Sequence, residues 1–256
     1  MLAASPRPTR HVRAPRAAST LSLLTTATAA AALALAPQTA RALTNPFTET
    51  FATDNANWRR ADALTGADFA VTGSTADGTG SISTTRSFSN DPVSTTQPPV
   101  LFNARSAFNS SGNNLFGDYL AGGVTTFSFD IRQNTPAALT AFVRFAGANN
   151  FPGATAIGLT PVQPNVWTTI TISINPASPN FVSFEGTDFA TVFGAGALNG
   201  NLGIQRLQLG VFVPQSLAFS TPTYTFEIDN LRIVPSPSTF IGAAFGILAL
   251  TRRRRA

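Results

Sequence analysis

From residue 124 to residue 233, apolar side chains recur at every second position, the period of a half-buried β-strand. Over residues 124–132, Phe127, Phe129 and Ile131 share one face. Leu139, Ala141, Val143 and Phe145 form a second such face, with Thr140, Phe142 and Arg144 opposite. Ile170, Ile172 and Ile174 alternate with Thr169, Thr171 and Ser173; Leu207, Leu209, Val211 and Val213 follow, then Tyr224, Phe226 and Ile228. β-Branched and aromatic residues dominate these runs, and Gly, Pro, Asn and Ser clusters at 109–114, 147–153 and 176–180 separate them. Only residues 187–193 read as a helical turn. Many short strands without helix–strand alternation predict an all-β, antiparallel two-sheet β-sandwich of the jelly-roll kind.

The alternation breaks once. Tyr224, Phe226 and Ile228 set one parity, and Leu231 and Ile233 continue on the other. A shift of one residue calls for a β-bulge near Asp229 and Asn230.

Both ends depart from the β pattern. Arg7, Arg10, Arg13 and Arg16 precede an alanine-rich apolar stretch, and Ala40-Arg41-Ala42 fits a small-x-small cleavage site. Residues 1–42 therefore read as a signal peptide, with the mature chain starting at Leu43. At the other end, Val234-Pro235-Ser236-Pro237-Ser238-Thr239 leads into the apolar run 240–250, and Arg252, Arg253, Arg254 and Arg255 follow. As a helix that run is about 17 Å long at ~1.5 Å per residue, short against a bilayer core of roughly 30 Å. The flanking Ser and Thr residues and snorkelling arginines bring it near the lower limit for a single span. The terminal arginines act as a membrane stop and favour the cytoplasmic side, which puts the body across the membrane.

The order of proline motif, apolar helix and basic end resembles the PEP-CTERM sorting signal of Gram-negative bacteria. Ser236 stands where that family has glutamate. The resemblance covers residues 234–256 and implies processing by an exosortase after transient anchoring in the inner membrane. The protein would then reach the cell surface or the extracellular space.

Removing the two ends reverses the sign of the charge. All 17 basic residues are Arg; nine lie in the terminal segments, and all 12 Asp and Glu lie between them. The body, residues 43–233, is thus acidic, and the high isoelectric point belongs to the ends. A nucleic-acid partner is not expected. The chain has no Cys, so an exported domain must hold together by packing, hydrogen bonds or bound ions.

Phe47-Thr-Glu-Thr-Phe51 with Trp58, and the closing Tyr224-Thr-Phe-Glu-Ile-Asp-Asn-Leu-Arg-Ile233, resemble the first and last strands of jelly-roll carbohydrate-binding and galactose-binding-like modules. In many such modules these strands are neighbours and share a structural calcium. The resemblance implies Glu49 and Asp229 as its carboxylates, completed by carbonyls or water because calcium takes six to eight oxygens. Read alone, both are ordinary strand carboxylates, and that reading stays open.

The single His, His11, lies in the signal peptide and Lys is absent, so the body offers no nucleophile–histidine pair, lysine activation or thiolate site. Two carboxylates can hydrolyse a glycoside, and Glu185 with Asp188 or Glu227 with Asp229 are the candidate pairs. Sugar binding would use exposed rings. Tyr119, in a Gly-rich turn, is the expected exposed ring; Trp58 and Trp167 serve either as platforms or as packing. The expected function is a non-enzymatic structural or adhesive role in an exopolysaccharide layer. The alternatives are a specific carbohydrate-binding module and, more distantly, a glycoside hydrolase.

If the tail is a processed signal, intact-mass spectrometry of surface protein from the native host finds chains lacking residues 240–256. An intact arginine cluster on surface-exposed protein contradicts that reading.

Overall fold

The computed structural model describes residues 43–61, 68–70, 72–74, 80–94, 98–175, 177–183, 186, 188–196 and 201–235. The signal peptide, Ser236, Pro237, Ser238 and Thr239 of the motif, the apolar run, Arg252 to Arg255 and Glu185 lie outside them. In chain order the strands are β1 (Phe47–Glu49), β2 (Arg59–Ala61), β3 (Asp68–Ala70), β4 (Thr72–Ser74), β5 (Ser81–Ser87), β6 (Val100–Arg105), β7 (Val124–Gln133) and β8 (Leu139–Ala146). β9 (Gly153–Ala156), β10 (Pro161–Val162), β11 (Thr168–Ser173), β12 (Phe181–Val182), β13 (Ala195–Gly196), β14 (Asn201–Leu202), β15 (Arg206–Phe212) and β16 (Thr223–Pro235) complete them. One short helix, α1 (Phe189–Phe193), lies between β12 and β13; Asp188 caps it by accepting from the Thr191 N–H.

Two large antiparallel sheets result, and β13 and β14 pair as a separate two-stranded sheet. One has the order β11-β7-β16-β5-β4, with β1 also pairing with β16; the other runs β12-β9-β8-β15-β6-β2-β3, with β10 on β8. They are called the six-stranded and the eight-stranded sheet below. First and last strands are neighbours, with Glu49 opposite Leu231. β16 runs through Val234 and Pro235, so the first two residues of the motif belong to the sandwich.

The alternation read from the sequence is the layering of the fold. Phe127, Phe129 and Ile131 face Leu139, Ala141, Val143, Phe145, Leu207, Leu209 and Val211 across one buried core. Phe145 is the junction of the two layers. Its ring meets Phe127 of the six-stranded sheet edge-on at 5.2 Å, and it also touches Tyr119, Phe181 and Phe193.

The expected bulge is present. Asp229 pairs with Asp130 and Arg232 with Ser128, which leaves Asn230 and Leu231 opposite one residue. Asn230 adopts φ +50°, a conformation asparagine tolerates better than most side chains. Its amide donates to Asp130 Oδ2 at 2.9 Å and Asp229 Oδ2 at 3.1 Å, bridging two carboxylates that face each other across the strands.

Phe145→Ala removes a fully buried ring from the junction. A loss of about 3–5 kcal/mol is expected, read from the denaturant midpoint. A loss below about 1 kcal/mol would mean that the layers close without this contact.

Candidate functional site

Burying Leu139 to Phe145 and Leu207 to Val211 forces the intervening residues outward. The register then lines up Thr155, Arg144, Gln208, Asn103 and Arg59 as consecutive cross-strand partners. This row crosses β9, β8, β15, β6 and β2, and spans about 19 Å at roughly 4.8 Å per strand. Beside it a second row carries Arg206 and Arg105, and on the other flank Phe142 and Phe212 meet edge-on at 5.6 Å.

These polar groups face away from the core yet are sheltered. Relative exposure is 3% for Thr155, 9% for Arg144, 6% for Gln208 and 0% for Asn103. Arg144 lies flat because β9 begins with a glycine: a Cβ on Gly153 would collide with the guanidinium. Its Nη2 donates to the Asn150 carbonyl at 2.8 Å and its Nη1 to Thr155 Oγ1 at 3.5 Å. Arg206 Nε donates to Asn103 Oδ1 at 3.1 Å, and Asn103 Nδ2 is buried with no hydrogen-bond partner. Rings underlie the guanidiniums. Arg59 sits 3.8 Å and Arg105 5.0 Å from the centre of Phe108, and Arg144 is 5.7 Å from Phe151, itself 60% exposed.

The outer face of the six-stranded sheet is of another kind. Thr171, Ser128, Arg232 and Thr48 form one row across it. Thr169, Thr171 and Ser173 are exposed. Its charges are tied to neighbours: Arg132 holds Glu227 by two contacts of 2.7 and 3.1 Å, and Asp130 accepts from Thr169 Oγ1 at 2.6 Å. A cleft of about 280 Å³ lies between β5 and β6, where Arg86 is bound to Asp91 through both oxygens.

Burial corrects the placement of Tyr119 and decides Trp58 in favour of packing. Tyr119 is not an exposed ring: it is fully buried against Phe145 and Phe193, and its hydroxyl donates to the Leu115 carbonyl at 2.9 Å. Burial pushes the phenol well above its ordinary pKa, because phenolate charge has no water there. Trp58 is also fully buried, edge-on to Phe51, with its indole N–H donating to Ser111 Oγ at 2.9 Å. Trp167 is half-buried beneath Arg132, whose guanidinium is 4.7 Å from the ring. It belongs to the opposite side of the molecule from the sheltered row.

The carboxylates stand in structural contacts. Asp188 is a helix cap, and hydrogen bonds from the Thr191 side chain and backbone hold its pKa below the ordinary value. Glu49 Oε1 accepts from the Phe51 N–H at 3.2 Å. Asp229 is 3% exposed, and its Oδ1 accepts from the Asn230 N–H at 2.6 Å. Glu49 and Asp229 thus come from adjacent strands, Glu49 opposite Leu231 of the bulge and Asp229 just before it. Gly80 packs against the same turn: a Cβ there would lie 2.7 Å from the Thr50 carbonyl oxygen.

No family model matches the chain, and no curated protein matches it. Among solved structures, the chain is similar to the CBM22-1–GH10 modules of the Clostridium thermocellum endo-1,4-β-D-xylanase 10B complexed with xylohexaose. That likeness has 14% identity and a TM-score of 0.40, and covers 75% of this chain and 28% of that one. The CBM22-1 xylan-binding domain of a Paenibacillus barcinonensis protein has 11% identity and a TM-score of 0.40, over 76% of this chain and 97% of that one. The K3 cleaved adhesin domain of the Porphyromonas gingivalis Lys-gingipain has 12% identity and a TM-score of 0.35, over 73% and 98%. Similarity at this level conveys neither a ligand nor a site.

Tyr119→Phe leaves the Leu115 carbonyl without its donor, and a loss of about 1 kcal/mol is expected in thermal or denaturant unfolding. An unfolding midpoint unchanged in Tyr119→Phe contradicts this assignment.

Proposed function

We propose that the protein is an exported, non-catalytic β-sandwich that binds extracellular polysaccharide through the outer face of its eight-stranded sheet. The observation that carries the reading is the row Thr155, Arg144, Gln208, Asn103 and Arg59. Hydroxyl, amide and guanidinium groups are held there in fixed orientation along a line suited to an extended glycan. Preorganised polar groups bind with less entropy loss than free ones; Asn103, wholly buried, orients Arg206, and Arg59 is the member of the row that reaches solvent. The six-stranded sheet presents short exposed hydroxyls instead, which supports its role as the outward, solvated side.

A non-catalytic role accords with the fixed carboxylates: Glu227 is clamped by Arg132 and Asp188 caps a helix. In the same reading an exosortase processes the C-terminal tail after transient anchoring in the inner membrane, and the sandwich acts in the exopolysaccharide layer. Glycan binding is then the means by which it adheres there. We also assign a structural calcium to Glu49 and Asp229, completed by backbone carbonyls. The ion would pin the first strand to the last.

Affinity electrophoresis through polysaccharide gels, with a glycan array beside it, tests the reading. The mature chain should be retarded by at least one extracellular polysaccharide. Gln208→Ala should lose most of that retardation, while Thr171→Ala on the opposite sheet should keep it. Retardation that survives Gln208→Ala and Thr155→Ala but falls with Thr171→Ala puts the site on the wrong sheet.

Calcium bound by the folded state alone must raise the melting temperature by mass action. Excess calcium is expected to raise Tm by several degrees over chelator, and Asp229→Asn to abolish the difference. Equal Tm values in calcium and in chelator return both carboxylates to plain backbone acceptors.

A further inference from the structure

We infer that two copies of the protein associate edge to edge through β11, which joins their six-stranded sheets into one continuous sheet about a two-fold axis at Thr171. β11 ends its sheet, and among the described residues β7 is its one strand partner. An antiparallel strand turns the N–H and C=O of alternate residues toward each neighbour. The Ile174 N–H donates to the Thr125 carbonyl of β7 at 2.8 Å, so Thr168, Ile170, Ile172 and Ile174 direct their backbone groups at β7. Thr169, Thr171 and Ser173 therefore aim theirs away from the sheet. All three are exposed, and among the described residues no backbone partner meets them there.

An exposed edge is a template for further pairing, and folded proteins blunt it with short strands, charge, proline or bulges. The other terminal strands of the two large sheets are blunted in this way. β1, β3 and β4 are three residues long, and β10 and β12 two. Where β5 runs past β4, Arg60 donates to the Thr85 carbonyl at 3.2 Å. β11 has none of these devices. It pairs with β7 over six residues without a register shift. No charged residue occurs between Arg144 and Glu185, and no proline between Pro164 and Pro176. Its Thr and Ile residues favour an extended chain.

The partner is a second copy because this edge is complementary to itself. The run on the β7 ladder is 168–174, and Thr171 is its middle. An antiparallel copy centred there sets Thr169 against Ser173 of the second copy, and Thr171 against its own equivalent. Each such pair exchanges both of its N–H···O bonds. On the outer face Thr meets Thr or Ser, a favourable cross-strand combination. On the core side Ile170 meets Ile172 of the second copy. A register shifted by one residue would set isoleucine against exposed hydroxyl, and the alternation of the faces excludes it. Among the described residues each copy has one such edge, so assembly closes at two.

Sedimentation velocity of the full chain over a range of concentrations reads the association, with amide exchange beside it. The terminal segments are common to every variant, so the quantity read is the difference between wild type and variant. A reversible dimer is expected. The Thr169, Thr171 and Ser173 amides should exchange more slowly as concentration rises, while those of Ile170 and Ile172 are slow throughout. Thr171→Pro removes one N–H from each copy and should weaken the dimer at least about tenfold, the scale of two lost hydrogen bonds. Thr171→Lys and Thr171→Asp each set like charges against one another at the axis. Each should be monomeric alone, and the two should pair when mixed. Residue 171 is exposed, so these two stay informative should Thr171→Pro unfold. Thr48→Lys, exposed on the same outer face, should leave the dimer unchanged.

A wild-type chain that stays monomeric at millimolar concentration overturns the inference. Association that survives Thr171→Pro and Thr171→Lys, or that falls equally with Thr48→Lys, overturns it as well. So does a dimer whose three edge amides exchange as fast as in the monomer. Lysine and aspartate variants that fail to pair when mixed overturn the two-fold axis at Thr171. The pairing edge belongs to the six-stranded sheet, and its failure leaves the glycan-binding reading of the other sheet untouched.

Discussion

The ring of Phe145 is the constraint from which the rest of the sandwich follows. It meets Phe127 across the layers at 5.2 Å and Phe193 of α1 at the same separation, with Tyr119 at 6.1 Å. Side chains alternate strictly along a strand, so seating Phe145 inward fixes Arg144 outward. The same holds on β15, where Leu207 and Leu209 in the core place Gln208 between them on the outer face. A slip of one residue would bury a guanidinium and expose a phenyl ring, at a cost far above that of any surface contact. Formation of the core and placement of the polar row are one event.

The two outer faces show how the same alternation yields different surfaces. On the six-stranded sheet the outward residues are mostly Thr and Ser, short and exposed, with Arg132 bound to Glu227 and Arg232 exposed among them. On the eight-stranded sheet many outward residues are long, and glycines at 153 and 210 let Arg144 and Phe142 lie across the strands. Phe142 covers Gly210 and Arg144 covers Gly153. Shelter and fixed orientation set the second face apart from the first, whose short side chains stand in water.

Much of this fold was legible in the sequence, for identifiable reasons. β7, β8, β11, β15 and β16 were readable because each packs one face on the core and leaves the other to solvent, which writes period two into the residues. The parity break at Asp229 and Asn230 was readable for the same reason. β5 was not, since Ile82 is its only aliphatic side chain and its stability comes from pairing with β16. β6 was hidden because Leu101, Phe102, Asn103 and Ala104 are all buried, so no alternation survives. The site suffered most from this. Arg144 was visible on the polar side of its strand, but the row exists only through the register of five strands, and register is a tertiary property. Tyr119 was misplaced because its hydroxyl finds a partner at Leu115, which lets the whole ring enter the core; Trp58 takes the packing alternative in the same way, through Ser111.

The central claim is that one face of the sandwich, and not the other, receives the glycan. The most direct measurement is an NMR titration of the isotopically labelled mature chain with a soluble oligosaccharide of the polymer that retards it. Shift changes should concentrate on Arg59, Asn103, Arg144, Thr155, Arg206 and Gln208, with the signals of Ser128, Thr169 and Thr171 unmoved. Changes centred on Ser128, Thr169 and Thr171 would contradict the account.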